Sequence, residues 1–104
     1  MVEKVNTEQF DKLISGDTPV VCDFYATWCG PCKMLAPVME KCSEKYDGKA
    51  KFVKVDVDES IELAARYGVM SIPLVAVFKK GELVEKSLGF TPQSETEEFI
   101  EGCI

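Results

Sequence analysis

The amino-acid sequence predicts an α/β protein in which a mixed sheet of about five strands carries helices on both faces, in the order β-α-β-α-β-α-β-β-α. Three observations predict it. The run Pro-Val-Val-Cys-Asp-Phe-Tyr-Ala from Pro19 to Ala26 is almost continuously apolar over a strand's length, the pattern of a strand covered on both faces of a sheet. Segments with apolar residues at helical spacing alternate with strand-like segments, which implies right-handed parallel crossovers. Near the C-terminus two strand-like runs are separated only by Lys80-Gly81, the mark of an antiparallel hairpin.

Taken in order, a short edge strand is expected at Val2–Val5. A helix follows, with Asn6 as N-cap and Gln9 at capping-box spacing. Phe10, Leu13 and Ile14 form its apolar face, and Gly16 closes it. Pro19–Ala26 is the central strand. From Cys32 to about Tyr46, the residues Leu35, Val38, Met39, Cys42 and Tyr46 recur at helical spacing, with Pro37 expected to kink the helix and Gly48 to stop it. Phe52–Val57 alternates as a strand. Asp58 is expected to cap a helix bearing Ile61, Leu63, Ala64 and Tyr67 before Gly68. Pro73 cannot donate to a ladder, so the next strand starts after it and runs Leu74–Lys79, turning at Lys80-Gly81 into Glu82–Leu88. Thr91-Pro92 opens the last helix, with Pro92 at the first helical position and Phe99, Ile100 and Cys103 on the buried face.

Composition narrows the function classes. The 104 residues suit one domain spanning 1–104, and neither a repeat nor a linker-like stretch divides them. No stretch approaches the ~20 apolar residues of a membrane span. Twelve basic against eighteen acidic residues leave a net charge of −6 without a basic cluster, so nucleic acid is not an expected partner. The opening Met-Val-Glu-Lys-Val lacks the basic lead and apolar core of a secretory signal, and a cytoplasmic location is expected. Five cysteines, without a dense even framework, favour one functional pair plus free thiols. Cys22, Cys42 and Cys103 fall on apolar strand or helix faces and are read as core residues, with a regulatory disulfide from Cys42 or Cys103 as the alternative.

The chemistry is expected in Trp28-Cys29-Gly30-Pro31-Cys32, where the central strand ends and a helix begins. Two intervening residues let both sulfurs lie on one helix face, one turn apart, where they can close a small disulfide ring. Cys29, nearer the helix N-terminus, is favoured as thiolate by exposed amide donors and the helix dipole, and is the expected nucleophile. Cys32, one turn inward, is the expected resolving thiol. A zinc site would need two more ligands, and the chain has no histidine and no second Cys-x-x-Cys; no metal and no cofactor are expected.

Trp28-Cys29-Gly30-Pro31-Cys32-Lys33 resembles the active-site motif of thioredoxins, and the resemblance spans essentially the whole chain. Asp23-Phe24 before the motif, Lys54 and Asp58 after it, Ile72-Pro73 as a cis-proline loop, and turn glycines Gly81 and Gly89 all match. The resemblance implies a thioredoxin fold and a protein disulfide reductase that cycles at Cys29-Cys32, is regenerated by a thioredoxin reductase and acts as a monomer on client proteins with reducible disulfides. It further implies that Asp23 is desolvated and accepts the Cys32 proton through a water, with Lys54 modulating its charge. Trp28, Gly30, Pro31, Met70, Ile72, Pro73 and Gly89 would contact the substrate, an extended segment pairing with backbone beside Ile72. Leu74, Tyr25 and Met70 depart from the family pattern, where threonine is common for the first and tryptophan for the second. Two other readings make different predictions. A redox-independent binding scaffold would survive loss of Cys29, and an oxidant or isomerase would fit a histidine between the cysteines better than Pro31.

Overall fold

The computed structural model describes residues 1–104. Its elements are β1 (Glu3–Lys4), α1 (Thr7–Ile14), β2 (Val20–Tyr25), α2 (Gly30–Lys45), β3 (Lys51–Asp56), α3 (Ile61–Arg66), β4 (Leu74–Lys79), β5 (Glu82–Leu88) and α4 (Gln93–Cys103), the expected order. The five strands form one sheet in the spatial order β1-β3-β2-β4-β5. Parallel pairing joins β1 to β3 and β3 to β2, while β4 runs antiparallel to β2 and β5 antiparallel to β4. The apolar run thus becomes the middle strand, as its lack of a polar face requires.

Alternation along the strands divides the core in two. Val21, Phe52, Val75 and Val77 point to one side and pack with Leu35, Met39 and Cys42 of α2 and Ile100 and Cys103 of α4. Val20, Cys22, Phe24, Val53, Val55, Ala76 and Phe78 point to the other and pack with Phe10 and Ile14 of α1 and Leu63 of α3. Burying a side chain such as Phe10, Leu35 or Ile100 completely contributes about 1.5–3 kcal/mol each. Asp23 lies between Val21 and Tyr25 and therefore faces the α2 side.

Several local expectations change in three dimensions. β1 is shorter than Val2–Val5, because Val2 and Val5 turn inward to opposite core layers and only Glu3 and Lys4 pair with β3. α2 begins at Gly30, with Cys29 itself as the N-cap, so Cys32 lies inside the first turn rather than starting the helix. The helix continues through Pro37, which cannot donate to the Lys33 carbonyl. Asp58 does not cap α3. That position falls to Ser60, whose side chain makes no cap bond, while the buried Asp56 carboxylate accepts the Asp58 and Glu59 amides. Ile61 is exposed and belongs to no core layer; Leu63 and Ala64 supply the buried face of α3. Pro92 is the N-cap of α4, not its first residue; Ile100 and Cys103 are buried as expected, Phe99 packs partly buried on the same layer, and Thr96 joins them. Asn6 does form the expected capping box, its side chain accepting from the Gln9 amide at 2.9 Å and Gln9 returning an acceptor to the Asn6 amide at 2.9 Å.

Candidate functional site

At the C-terminal end of β2 the chain turns through Ala26, Thr27 and Trp28 and enters α2. Cys29 takes an extended conformation there, and its sulfur accepts the Cys32 amide at 3.3 Å. The cap that Ser, Asp or Asn supplies at most helix starts is here a sulfur. Its position gives it the unpaired amides and the positive end of the dipole, and no acidic residue in the first turn opposes them. Cys29 and Cys32 are joined as a disulfide with their Cα atoms 5.3 Å apart, so the spacing read from the sequence closes without moving the helix. Ala26, Tyr25, Val57 and Ile72 pack around the pair.

Behind Cys32 lies a cleft of about 250 Å³ lined by Asp23, Tyr25, Ala26, Thr27, Cys32, Lys33, Ala36 and Lys54. Asp23 is 3 % exposed, and one of its carboxylate oxygens is buried with no hydrogen-bond partner. Burial pushes its pKa up to about 7 against the attraction of Lys54, which lowers it. Parallel pairing sets Lys54 of β3 directly opposite Asp23 of β2. The structure therefore brings together Cys32, Asp23 and Lys54, residues 9 and 22 positions apart in order along the chain.

The expected rim is only partly gathered. Ile72 packs on the cysteine pair, with the Cys29 sulfur 3.9 Å from its carbonyl oxygen. The Ile72–Pro73 bond is cis, Pro73 is buried, and its carbonyl accepts the Gly89 amide at 2.8 Å, which draws Gly89 to the same loop. Gly89 has φ +89°, a conformation that side chains resist. Gly30 and Pro31 are exposed beside Cys29. Trp28 is 69 % exposed and anchored by its indole N–H, which donates to Asp58 at 2.8 Å. Met70, 95 % exposed, lines a separate groove of about 400 Å³ with Leu74, Lys86 and Leu88 rather than touching the pair.

Sequence reasoning missed the work of Asp58, read as a helix cap, and of Tyr25, noted only as a departure. Period-two alternation was the available signal for Tyr25, since it places this residue on the same strand face as Asp23. The remaining thiols, Cys22, Cys42 and Cys103, are free and buried. Burial raises the pKa of all three, that of Cys42 to about 11. The Cys42 sulfur lies 3.5 Å from Gln93 at the start of α4, whereas Cys103 ends that helix about 15 Å further on, so these two do not face each other. No group of three or more Cys, Asp or Glu is placed to hold a metal ion, and no helix is long and apolar enough to cross a membrane.

Residues 1–102 match the family described as Thioredoxin. The thioredoxin of Staphylococcus saprophyticus is 51 % identical over 100 residues, which cover 96 % of this chain and 95 % of that protein. That of Staphylococcus epidermidis is 50 % identical with the same coverage. Among solved structures, a Plasmodium falciparum thioredoxin superimposes with a TM-score of 0.92 at 40 % identity, covering 99 % of this chain and all of the other. A Malassezia sympodialis thioredoxin does so with a TM-score of 0.91 at 38 % identity, covering 98 % and 92 %.

Proposed function

The chain belongs to the thioredoxin family and is a thiol-disulfide oxidoreductase acting at Cys29 and Cys32; from that premise we propose the following division of labour, with residues 1–104 acting as one domain. In the reduced protein the Cys29 thiolate attacks one sulfur of a client disulfide. A mixed disulfide forms and the client's other sulfur leaves as thiolate. Cys32 then gives up its proton, attacks the Cys29 sulfur and closes the Cys29-Cys32 bond, releasing the client's second thiolate. Two electrons have moved from the dithiol to the client. The observation that carries this reading is the sulfur cap of α2, with a second sulfur in bonding reach one turn behind it.

Asp23 is the acceptor for the Cys32 proton through a water in the cleft they share, and its pKa of about 7 suits a group that must both take and return a proton near neutrality. Lys54, directly across from it, keeps enough of the carboxylate ionised to serve. Trp28, Gly30, Pro31, Ile72, Pro73 and Gly89 form the face on which an extended client segment docks, the backbone at Ile72 pairing with it and bringing its sulfur to Cys29. Met70 lines the neighbouring groove and is left out of this face. Thioredoxin reductase restores the dithiol, and the protein works as a monomer in the cytoplasm.

The test is Cys32→Ser with insulin as client. The variant is expected to accumulate a covalent adduct through Cys29 that survives denaturant and is released by added thiol. Turnover by the variant at the wild-type rate would sink the mechanism.

A further inference from the structure

Lys54 stands between two unlike neighbours. In the β3 ladder it is in register with Asp23 of β2 on one side and with Lys4 of β1 on the other. None of the chain's ion pairs includes Lys54: Lys4 bonds to Glu59 at 2.6 Å, and the remaining pairs lie elsewhere. A flexible ammonium outside any ion pair feels the Asp23 carboxyl only as an attraction through space, and open water within reach competes for it. One contact restrains it. The Lys54 nitrogen lies 5.6 Å from the ring centre of Tyr25, which is diagonal to it across the β2–β3 pair and half-buried in the same cleft.

We propose that Tyr25 is a positioning residue whose ring face holds the Lys54 ammonium at the mouth of the cleft, and thereby sets the charge that Asp23 feels and the pH range over which Cys32 can be deprotonated. The proposal rests on the assignment of Asp23 as proton acceptor. The ring, not the hydroxyl, carries the effect, because a cation is drawn to the negative face of an aromatic π-system whichever ring supplies it. A tryptophan, frequent at this position in the family, would do the same. An aliphatic residue would fill space without holding the cation.

The other charges near this site come from every element around it. Lys33 of α2 lines the cleft with Cys32. Cys22 of β2 is the chain neighbour of Asp23 and points into the opposite layer, where its raised pKa keeps it neutral. Lys4, Asp56 and Glu59 act on Tyr25, whose own pKa is raised chiefly by partial burial. Tyr25 is therefore neutral throughout the range in which Asp23 titrates, and its ring is a constant partner for Lys54.

The experiment follows the Asp23 carboxyl carbon by NMR titration in reduced Tyr25→Leu, Tyr25→Phe and Tyr25→Trp proteins, with Lys54→Met as reference. In parallel, single-turnover release of client from the mixed disulfide is measured against pH. Tyr25→Leu is expected to raise the Asp23 titration midpoint by roughly half a pH unit, in the same direction as Lys54→Met, and to slow release about twofold at pH 7 with convergence to wild type above pH 9. Phe and Trp are expected to titrate like wild type, and adding Tyr25→Leu to Lys54→Met to change nothing further. An unmoved midpoint in Tyr25→Leu, or a Phe variant that behaves like Leu, would overturn the proposal, as would additive shifts in the double variant. Should Tyr25→Leu fail to fold, a Trp variant departing from wild type by as much as Lys54→Met would also overturn it. Failure of the underlying assignment has a different signature: Asp23→Asn would then leave the release profile unchanged, while the NMR midpoints still decide the role of Tyr25.

Discussion

The two ends of α2 carry the same functional group in opposite circumstances. At the N-terminus Cys29 caps the helix, accepts an amide, borders solvent-exposed Gly30 and Pro31, and shares a bond with Cys32. Toward the C-terminus Cys42 is fully buried against Leu35, Met39 and Ile100, and its thiol is pushed up to about 11 by desolvation. One sulfur is placed where its anion is stabilised, the other where its anion is penalised. Cys29 is itself only 5 % exposed, so thiol chemistry here follows position along the helix and not the presence of cysteine.

Four substitutions test whether the two helix ends differ in this way. The largest effect is expected from Cys29→Ser, which removes the nucleophile and should reduce insulin turnover by roughly a thousandfold or more, to background. Cys42→Ser should leave turnover within about twofold, and a substantial loss there would erase the distinction between the two ends. Such a loss would also favour a scaffold reading if Cys29→Ser retained full biological activity.

Asp23→Asn has the next largest effect, on stability. The folded chain holds the Asp23 proton up to about pH 7, whereas an ordinary aspartate releases it near 3.8. Between those values the native state binds more protons than the unfolded state, so stability falls as pH rises, by about 4 kcal/mol once pH exceeds 7. Wild type is expected to lose that stability between pH 4 and 8 in denaturant titrations, and Asp23→Asn to show no comparable decline. The same variant should slow client release around neutrality. Parallel pH curves for the two proteins would show that Asp23 is not desolvated as described.

The two smaller effects concern the helix ends. Cys42→Ser is expected to cost about 1–2 kcal/mol in chemical denaturation, the penalty for a hydroxyl in an apolar layer. Asn6→Ala should cost about 1 kcal/mol with no change in turnover, because the Asn6–Gln9 box serves only the stability of α1. Comparing it with Cys29→Ser separates a cap that stabilises from a cap that reacts.

Much of this was legible in the amino-acid sequence. The apolar run that became β2, the Lys80-Gly81 turn, and the Asn6 capping box depend on nearest neighbours along the chain, and they were read correctly for that reason. The cysteine pair was legible because three residues of helix fix its separation. Less so were Asp58, Ile61 and Met70. Asp58 has the composition of a cap, but a tryptophan thirty residues earlier binds its carboxylate; Ile61 fits the apolar spacing of α3 yet lies off its buried face, in solvent. Met70 is close in sequence to Ile72 yet turns into another groove.

By itself the amino-acid sequence determined which segments become strands and helices, and that two sulfurs would meet at a helix mouth, since periodicity, caps and short spacings are local and their energies act within a few residues. Only the tertiary structure decided that Lys54 would stand across from Asp23, that Tyr25 would flank them, and that Cys32 would open onto the same cleft. Those placements follow from strand register and from which layer of side chains covers each face, and register is settled by the whole core packing at once.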